Sequence, residues 1–347
     1  MAYTTINKSS SFQNQVLYTG NGSTQSVTGV GFQPDWTWCK QRNTARNHGL
    51  FDAVRGVTKI LYSNDTSGQG TAATSLTSFN SDGFSCGGET ETNQNGGTYA
   101  SWNWKANGAG SSNTDGTINS TVSVNATSGF SIVSYTGSGS NGTVGHGLGS
   151  TPNVYIIKKL NGASTWLTYH SALGIGYHLG LNNGTAQNAN DATFANNTAP
   201  NSSVVSLGTW GDLNGSGNPY IMYCFAEKQG YSKFGKYSAV GNVDGNFIYL
   251  GFKPSFFLAK RITDGTEPWI MFDNKRNPFN GVDKNLKPNL SEAEATQNPP
   301  SMDFLSNGIK FRNLDGTFSN TSGKEFIYMA FAEAPLVGTN NVPCTAR

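Results

Sequence analysis

Three phrases recur in this chain in one fixed order, and that triple repetition limits what it can fold into more than any composition figure. "GFQPDWTWCKQR", "GSTPNVYIIKKL" and "GFKPSFFLAKRI" each run from a proline (Pro34, Pro152, Pro254) through an apolar stretch to a lysine (Lys40, Lys158, Lys260). Upstream of each lies a tyrosine-bearing segment with a Gly/Asn turn: "VLYTGNGS", "IVSYTGSGS" and "KFGKYSAVGN". Downstream come "HGLFDAVRG", "TWLTYHSALG" and "PWIMFDNKRN", and the copies close on "TYASWNWKANG", "NPYIMYCFAEKQG" and "EFIYMAFAEAP". From the proline to the first aromatic of the closing phrase is 65 residues (Pro34 to Tyr99), 68 (Pro152 to Tyr220) and 72 (Pro254 to Phe326). Landmarks that keep order and spacing mark one structural unit written three times.

The boundaries follow from that register: an N-terminal arm (1–13), module one (14–108), a linker (109–128), module two (129–229), module three (230–335) and a C-terminal tail (336–347). The linker is polar and turn-rich, so it is expected to be extended or loosely ordered. Modules two and three share almost no linker and are expected to pack more closely. "VYIIKK" and "SFFLAKR" are short continuous apolar runs, as in strands covered on both faces. "SDGF" and "SNGI" read as hairpin turns. Only "SEAEAT", 291–296, invites a helical turn. The fold class expected is all-β, three tandem antiparallel β-sandwich modules of jelly-roll-like build.

Charged residues make up 13% of the 347, with 23 basic against 21 acidic, so no basic footprint for nucleic acid is present. Four cysteines stand far apart without metal-ligand spacing. The N-terminus lacks the apolar core of a signal peptide, and no run of about eighteen apolar residues occurs, so membrane insertion is not expected. Neither a cofactor nor a metal is expected.

Candidate chemistry is sparse. The four histidines have no convergent partner, and no G-x-S-x-G elbow occurs. His170 aligns with Asp52 and Asp273, which reads as a tolerant polar position. Asp52 with Arg55, and Asp273 with Arg276, suit a turn closed by a charge-assisted bond. Glu227 and Glu333 end their strands, with Ala106 as the counterpart in module one. Pairing with the repeated lysines Lys40, Lys158 and Lys260 is the structural alternative to glycosidic catalysis. Three tryptophans are candidate sugar-stacking residues: Trp166 and Trp269, which align, and Trp210, in "LGTWGDLNGSGN" with no aligned partner. The alternative, favoured by how commonly large aromatics are buried, is that the aligned pair is core and Trp210 covers a sandwich end.

With the repeat laid out, "GFQPDWTWCKQR…LFDAVRG", "YIMYCFAEKQGYSKFGKY" and "FDNKRNPFN…FLSNGIKFRN…YMAFAEAP" resemble a repeated β domain frequent in tailed phages of marine bacteria and cyanobacteria. The resemblance covers about 15–335 and implies a non-enzymatic virion protein, made in the host cytoplasm. It would be a tail fibre or tail-associated adhesin, with other virion proteins as partners and host surface glycan or receptor as target. A homo-oligomer, a trimer by analogy with other fibres, is the expected assembly. The alternatives are a capsid decoration or head-fibre protein, docked by the arm and tail, and a polysaccharide depolymerase.

Overall fold

The computed structural model describes residues 3–188, 191–313 and 321–337. The chain is nearly all β, and its strands pair antiparallel in several sheets. Each of three larger sheets contains the same four strands in the same order. A lead strand (Gln13–Thr19, Phe130–Thr136, Ser232–Ser238) pairs with a closing strand (Thr98–Trp104, Pro219–Phe225, Glu325–Pro335). The closing strand pairs with a proline strand (Trp36–Gln41, Val154–Lys159, Phe252–Arg261), and that with an outer strand (Gly49–Asp52, Leu167–His170, Ile270–Asp273).

The register also recurs: Trp36 faces Trp104, Val154 faces Phe225, and Phe256 faces Phe331 across the central pair. At the turn after each lead strand, Gly22, Gly139 and Gly241 have φ of 71°, 75° and 65°. That left-handed conformation favours glycine and fixes the Gly/Asn turns seen in the sequence.

Side chains alternate between the two faces of each sheet, and both faces are buried. One face packs against a smaller sheet of its own repeat. In the first repeat, Phe51 and Ile60 meet Val27, Leu76, Phe84 and Cys86. Separate clusters of the same kind fill the second and third repeats. The opposite faces of all three larger sheets share a fourth core, in which Trp36 and Trp104 meet Tyr223, Phe225, Phe256 and Phe331. Six of the seven tryptophans lie in it. Its centre is an apolar void of about 10 Å³, lined from all three repeats. Burying such side chains contributes ~1.5–3 kcal/mol each, so the repeats form one body around a common centre.

Several expectations are corrected. The linker at 109–128 is ordered: Ser111–Asn113 and Ser120–Asn125 add two strands to the second large sheet. Alternation in "STVSVN" turns Val122 inward, and that period of two outweighs the turn-rich composition. The arm is built into the fold, with Ile6 buried in the shared core and Phe12 edge-on to Tyr231 at 6.1 Å. "SEAEAT" makes no helix, since Ala295–Thr296 pairs as a strand with Lys284–Asn285. Pro254, whose place at the head of an apolar run suits a strand's first residue, lies instead inside its strand at a register shift. The hairpins at "SDGF" and "SNGI" form as expected. Residues 338–347 of the expected tail lie outside the described residues.

Candidate functional site

The repeated polar residues gather where the three repeats meet. Asp52 ends its outer strand fully buried and accepts the Arg55 backbone N–H at 2.8 Å, while the Arg55 guanidinium pairs with the same carboxylate. Asp273 does likewise with Arg276, at 2.8 Å to the backbone and 2.5 Å to Nε. Each arginine also donates to a carbonyl of its own outer strand, Leu50 or Met271, both at 3.0 Å. The turn-closing role read from the sequence is what these pairs do.

Each of these turns then reaches into the next repeat. The Tyr223 hydroxyl donates to Asp52 at 2.7 Å, and Trp102 Nε1 donates to Asp273 at 3.0 Å. Trp102 and Tyr223 hold the same place in their closing strands, three residues after Tyr99 and Tyr220. The third joint uses His170, whose Nδ1 accepts the Ala172 N–H at 3.1 Å and whose Nε2 lies 3.1 Å from the Tyr328 carbonyl. Because Nδ1 must accept, the proton sits on Nε2 and the ring is neutral. Burial pushes His170 down to about 4, against a smaller upward effect of the Tyr328 carbonyl. His170 is therefore no tolerant position: it closes the joint its aspartate counterparts close elsewhere.

A second set of contacts runs around the ring in the opposite sense. Trp166 Nε1 donates to Tyr62 O of the first repeat at 2.9 Å, and Trp269 Nε1 donates to Gly180 O of the second at 2.8 Å. His48 takes this place in the first repeat, its Nδ1 accepting from Trp38 Nε1 at 3.0 Å and its far edge turned to the Lys287 backbone. Both tryptophans are buried, at 0% and 2% exposure, and offer no face to a sugar. They serve the joints instead.

One further spacing repeats in the sequence. Leu61, Leu179 and Leu286 each stand three residues before an asparagine, Asn64, Asn182 or Asn289. Those amides accept the backbone N–H of His48, Trp166 and Trp269, each at 2.9 Å. The L-x-x-N spacing could have shown it.

Lys40, Lys158 and Lys260 are buried and bond to carbonyls rather than to Glu227 or Glu333. Two cross a joint: Lys158 reaches Thr66 O at 2.6 Å, and Lys40 reaches Ser291 O at 3.3 Å. Burial pushes each lysine down to about 8. The joint between the first and third repeats has no direct chain connection, and it carries the bidentate pair of Arg42 with Glu294, at 2.9 and 2.8 Å.

One family profile, described as Domain of unknown function (DUF7483), matches residues 8–335. The chain belongs to this family. The DUF7483 match is continuous through all three repeats, so the family unit is the whole ring of sheets and the packed arm from Lys8 onward. No curated protein matches the chain at a significant level.

Within this DUF7483 chain the remaining candidates stand apart from one another. Glu333 pairs with Lys253 at 3.2 Å and accepts from Asn274 at 2.8 Å. Glu227 is exposed and accepts the Phe234 N–H at 3.2 Å. Trp210 does have a counterpart. It is the N-cap of the short helix Gly211–Asn214, as Glu89 is of Thr90–Asn93. Its ring is half-buried, edge-on to His178 at 4.9 Å and against the second repeat's core. Among the described residues, no group of three or more His, Cys, Asp or Glu is placed to hold a metal ion. Cys39, Cys86 and Cys224 are buried free thiols, and burial raises the Cys39 thiol to about 12, far from a nucleophile's range.

Proposed function

We propose that this protein is a structural component of a tailed-phage virion, a tail fibre or tail-associated adhesin that recognises the host surface. In this reading each repeat is a β-sandwich module, a larger sheet backed by its smaller one, and three modules surround a pseudo-threefold axis within one chain. The observation that carries the proposal is the fate of the repeated polar residues. Asp52, Arg55, Asp273, Arg276, Lys40 and Lys158 are committed to holding the modules together, and Lys260 is buried and bonded within its own module. Triplication thus supplies a rigid, low-charge surface rather than reacting groups, and exposed loops on a rigid scaffold are where recognition is usually placed.

One chain already repeats the module three times around an axis, so the homotrimer expected from the sequence is replaced in this proposal by a monomeric pseudo-trimer. The alternative of a capsid decoration protein docked by its arm has less support. Tyr3, Thr4 and Ile6 are engaged within the fold, with Tyr3 Oη donating to Gly251 O and Thr4 Oγ1 to Gln229 O, both at 2.7 Å. Antibody labelling of purified particles under the electron microscope, paired with a cell-binding assay, tests the reading. Label on the tail and retention on host cells are expected, whereas absence from particles overturns it.

A further inference from the structure

A cleft opens where the arm crosses the junction of the second and third repeats. It measures about 300 Å³ and is walled by Tyr3, Glu227, Gln229, Lys233 and Tyr249 with Leu250 beneath. Ligand pockets begin at roughly this size, ~300 Å³. The strand Phe247–Tyr249 that forms one side points Ile248 inward and displays two aromatics outward, Phe247 at 46% and Tyr249 at 49% exposure. Lys233 Nζ stands 5.6 Å over the Tyr249 ring.

The opposite wall is built rather than incidental. Tyr3 is held by its bond to Gly251 O, and Gly251 has φ of 76°, where a Cβ would come within 2.4 Å of the Tyr3 hydroxyl. Gly230, also at positive φ, leaves room for Thr4 in the same way. Burial, and then the neighbouring Tyr249 hydroxyl, push Tyr3 up to about 12, so it remains a protonated phenol. Glu227 commits one carboxylate oxygen to Phe234. Its counterparts cannot make the same site, because module one has Ala106 and Glu333 is held by Lys253 and Asn274.

We infer that this cleft is a saccharide-binding site for one or two neutral, hydroxyl-rich sugar rings. The Tyr249 face would take the apolar face of a ring, and Glu227, Gln229 and Lys233 would take its hydroxyls. The inference deepens the surface-recognition reading above and rests on it for the source of the glycan, though not for the chemistry of the cleft.

The test uses the full chain, a printed array of neutral, N-acetylated and uronic-acid oligosaccharides, and host cells in parallel. Neutral glycans should bind, and Tyr249→Ala should weaken them at least tenfold with an unchanged melting temperature, since the ring is half-exposed. Gln229→Ala, a second exposed wall residue, should weaken binding as well. If the unaltered protein binds cells and Tyr249→Ala binds them and the array equally well, the cleft is overturned while the adhesin reading stands. Array binding lost in Tyr249→Ala without any cell binding would uphold the cleft and remove the adhesin. No binding to either probe would overturn both, and preference for uronic acids over neutral sugars would overturn the stated ligand class.

Discussion

The hydroxyl of Tyr223 and the carboxylate of Asp52 lie 2.7 Å apart, yet they come from different repeats and are separated by 171 residues of chain. Asp52 is thereby held twice, by Arg55 within its own turn and by Tyr223 from the adjoining sheet. This couples a local ionic turn to the assembly of the whole molecule.

Removing either side of that contact should register in stability. Tyr223→Phe deletes a hydrogen bond to a buried carboxylate, which is worth ~1.5–3 kcal/mol. Asp52→Ala leaves the buried Arg55 guanidinium without its partner, a loss of roughly 3–5 kcal/mol. Chemical denaturation of the two variants measures both. An Asp52→Ala change below about 0.5 kcal/mol would mean that water or rearrangement replaces the pair.

Acid should weaken the protein through His170. Its folded value of about 4 lies below the 6.5 of a free imidazole. Between those values the unfolded chain binds the proton and the folded one does not. Stability is therefore full above about pH 6.5 and declines as pH falls toward 4, by about 3 kcal/mol for this group alone. His170→Asn keeps an acceptor and a donor without titrating, so its stability should change less over the same interval. Equal melting temperatures at pH 7 and pH 4.5 in the unaltered protein would rule this out.

Trp210 looks exposed in a polar loop of the sequence, but its ring packs against His178 and the second repeat's core. Trp210→Ala should lower stability by ~1–3 kcal/mol. A thermal melt decides it, since an unchanged melting temperature would return the residue to a surface role.

Much of this was legible, and the misses have definite causes. The closing and proline strands could be placed because their phrases recur and their apolar runs are continuous. The same continuity held the clue to the shared core. A two-layer module leaves the outer face of its larger sheet to water, where alternation is expected. Tyr155-Ile156-Ile157 does not alternate, because Ile156 turns to the core shared with the other repeats while Tyr155 and Ile157 turn to the repeat's own cluster. His170 was harder to place, since it and aspartate share only the ability to accept a backbone N–H at a turn. Trp166 and Trp269 admit both a core and a sugar-stacking reading, because an aligned tryptophan shows its position but not which side is solvent, and the structure puts both in the core. The cleft at Tyr3 had no sequence signal, since it joins an unrepeated arm to residues more than two hundred positions away.

The shared core makes a final prediction about the independence of the repeats. Residues 109–229 alone would keep their own smaller sheet, the two strands at 111–125 and the cluster beneath them. They would expose Phe130, Ile132, Val154, Ile156, Tyr223 and Phe225, all now buried against the other two repeats. An apolar face of that extent on a single-repeat fragment favours association or loss of fixed packing. The expressed fragment should bind a hydrophobic dye, show poorly dispersed amide resonances and lack a cooperative melt. The full chain should melt in one transition as a monomer. A fragment that stays monomeric, disperses well and melts cooperatively would mean that each repeat folds by itself. The three-repeat core would then be a docking of finished domains rather than a condition of folding.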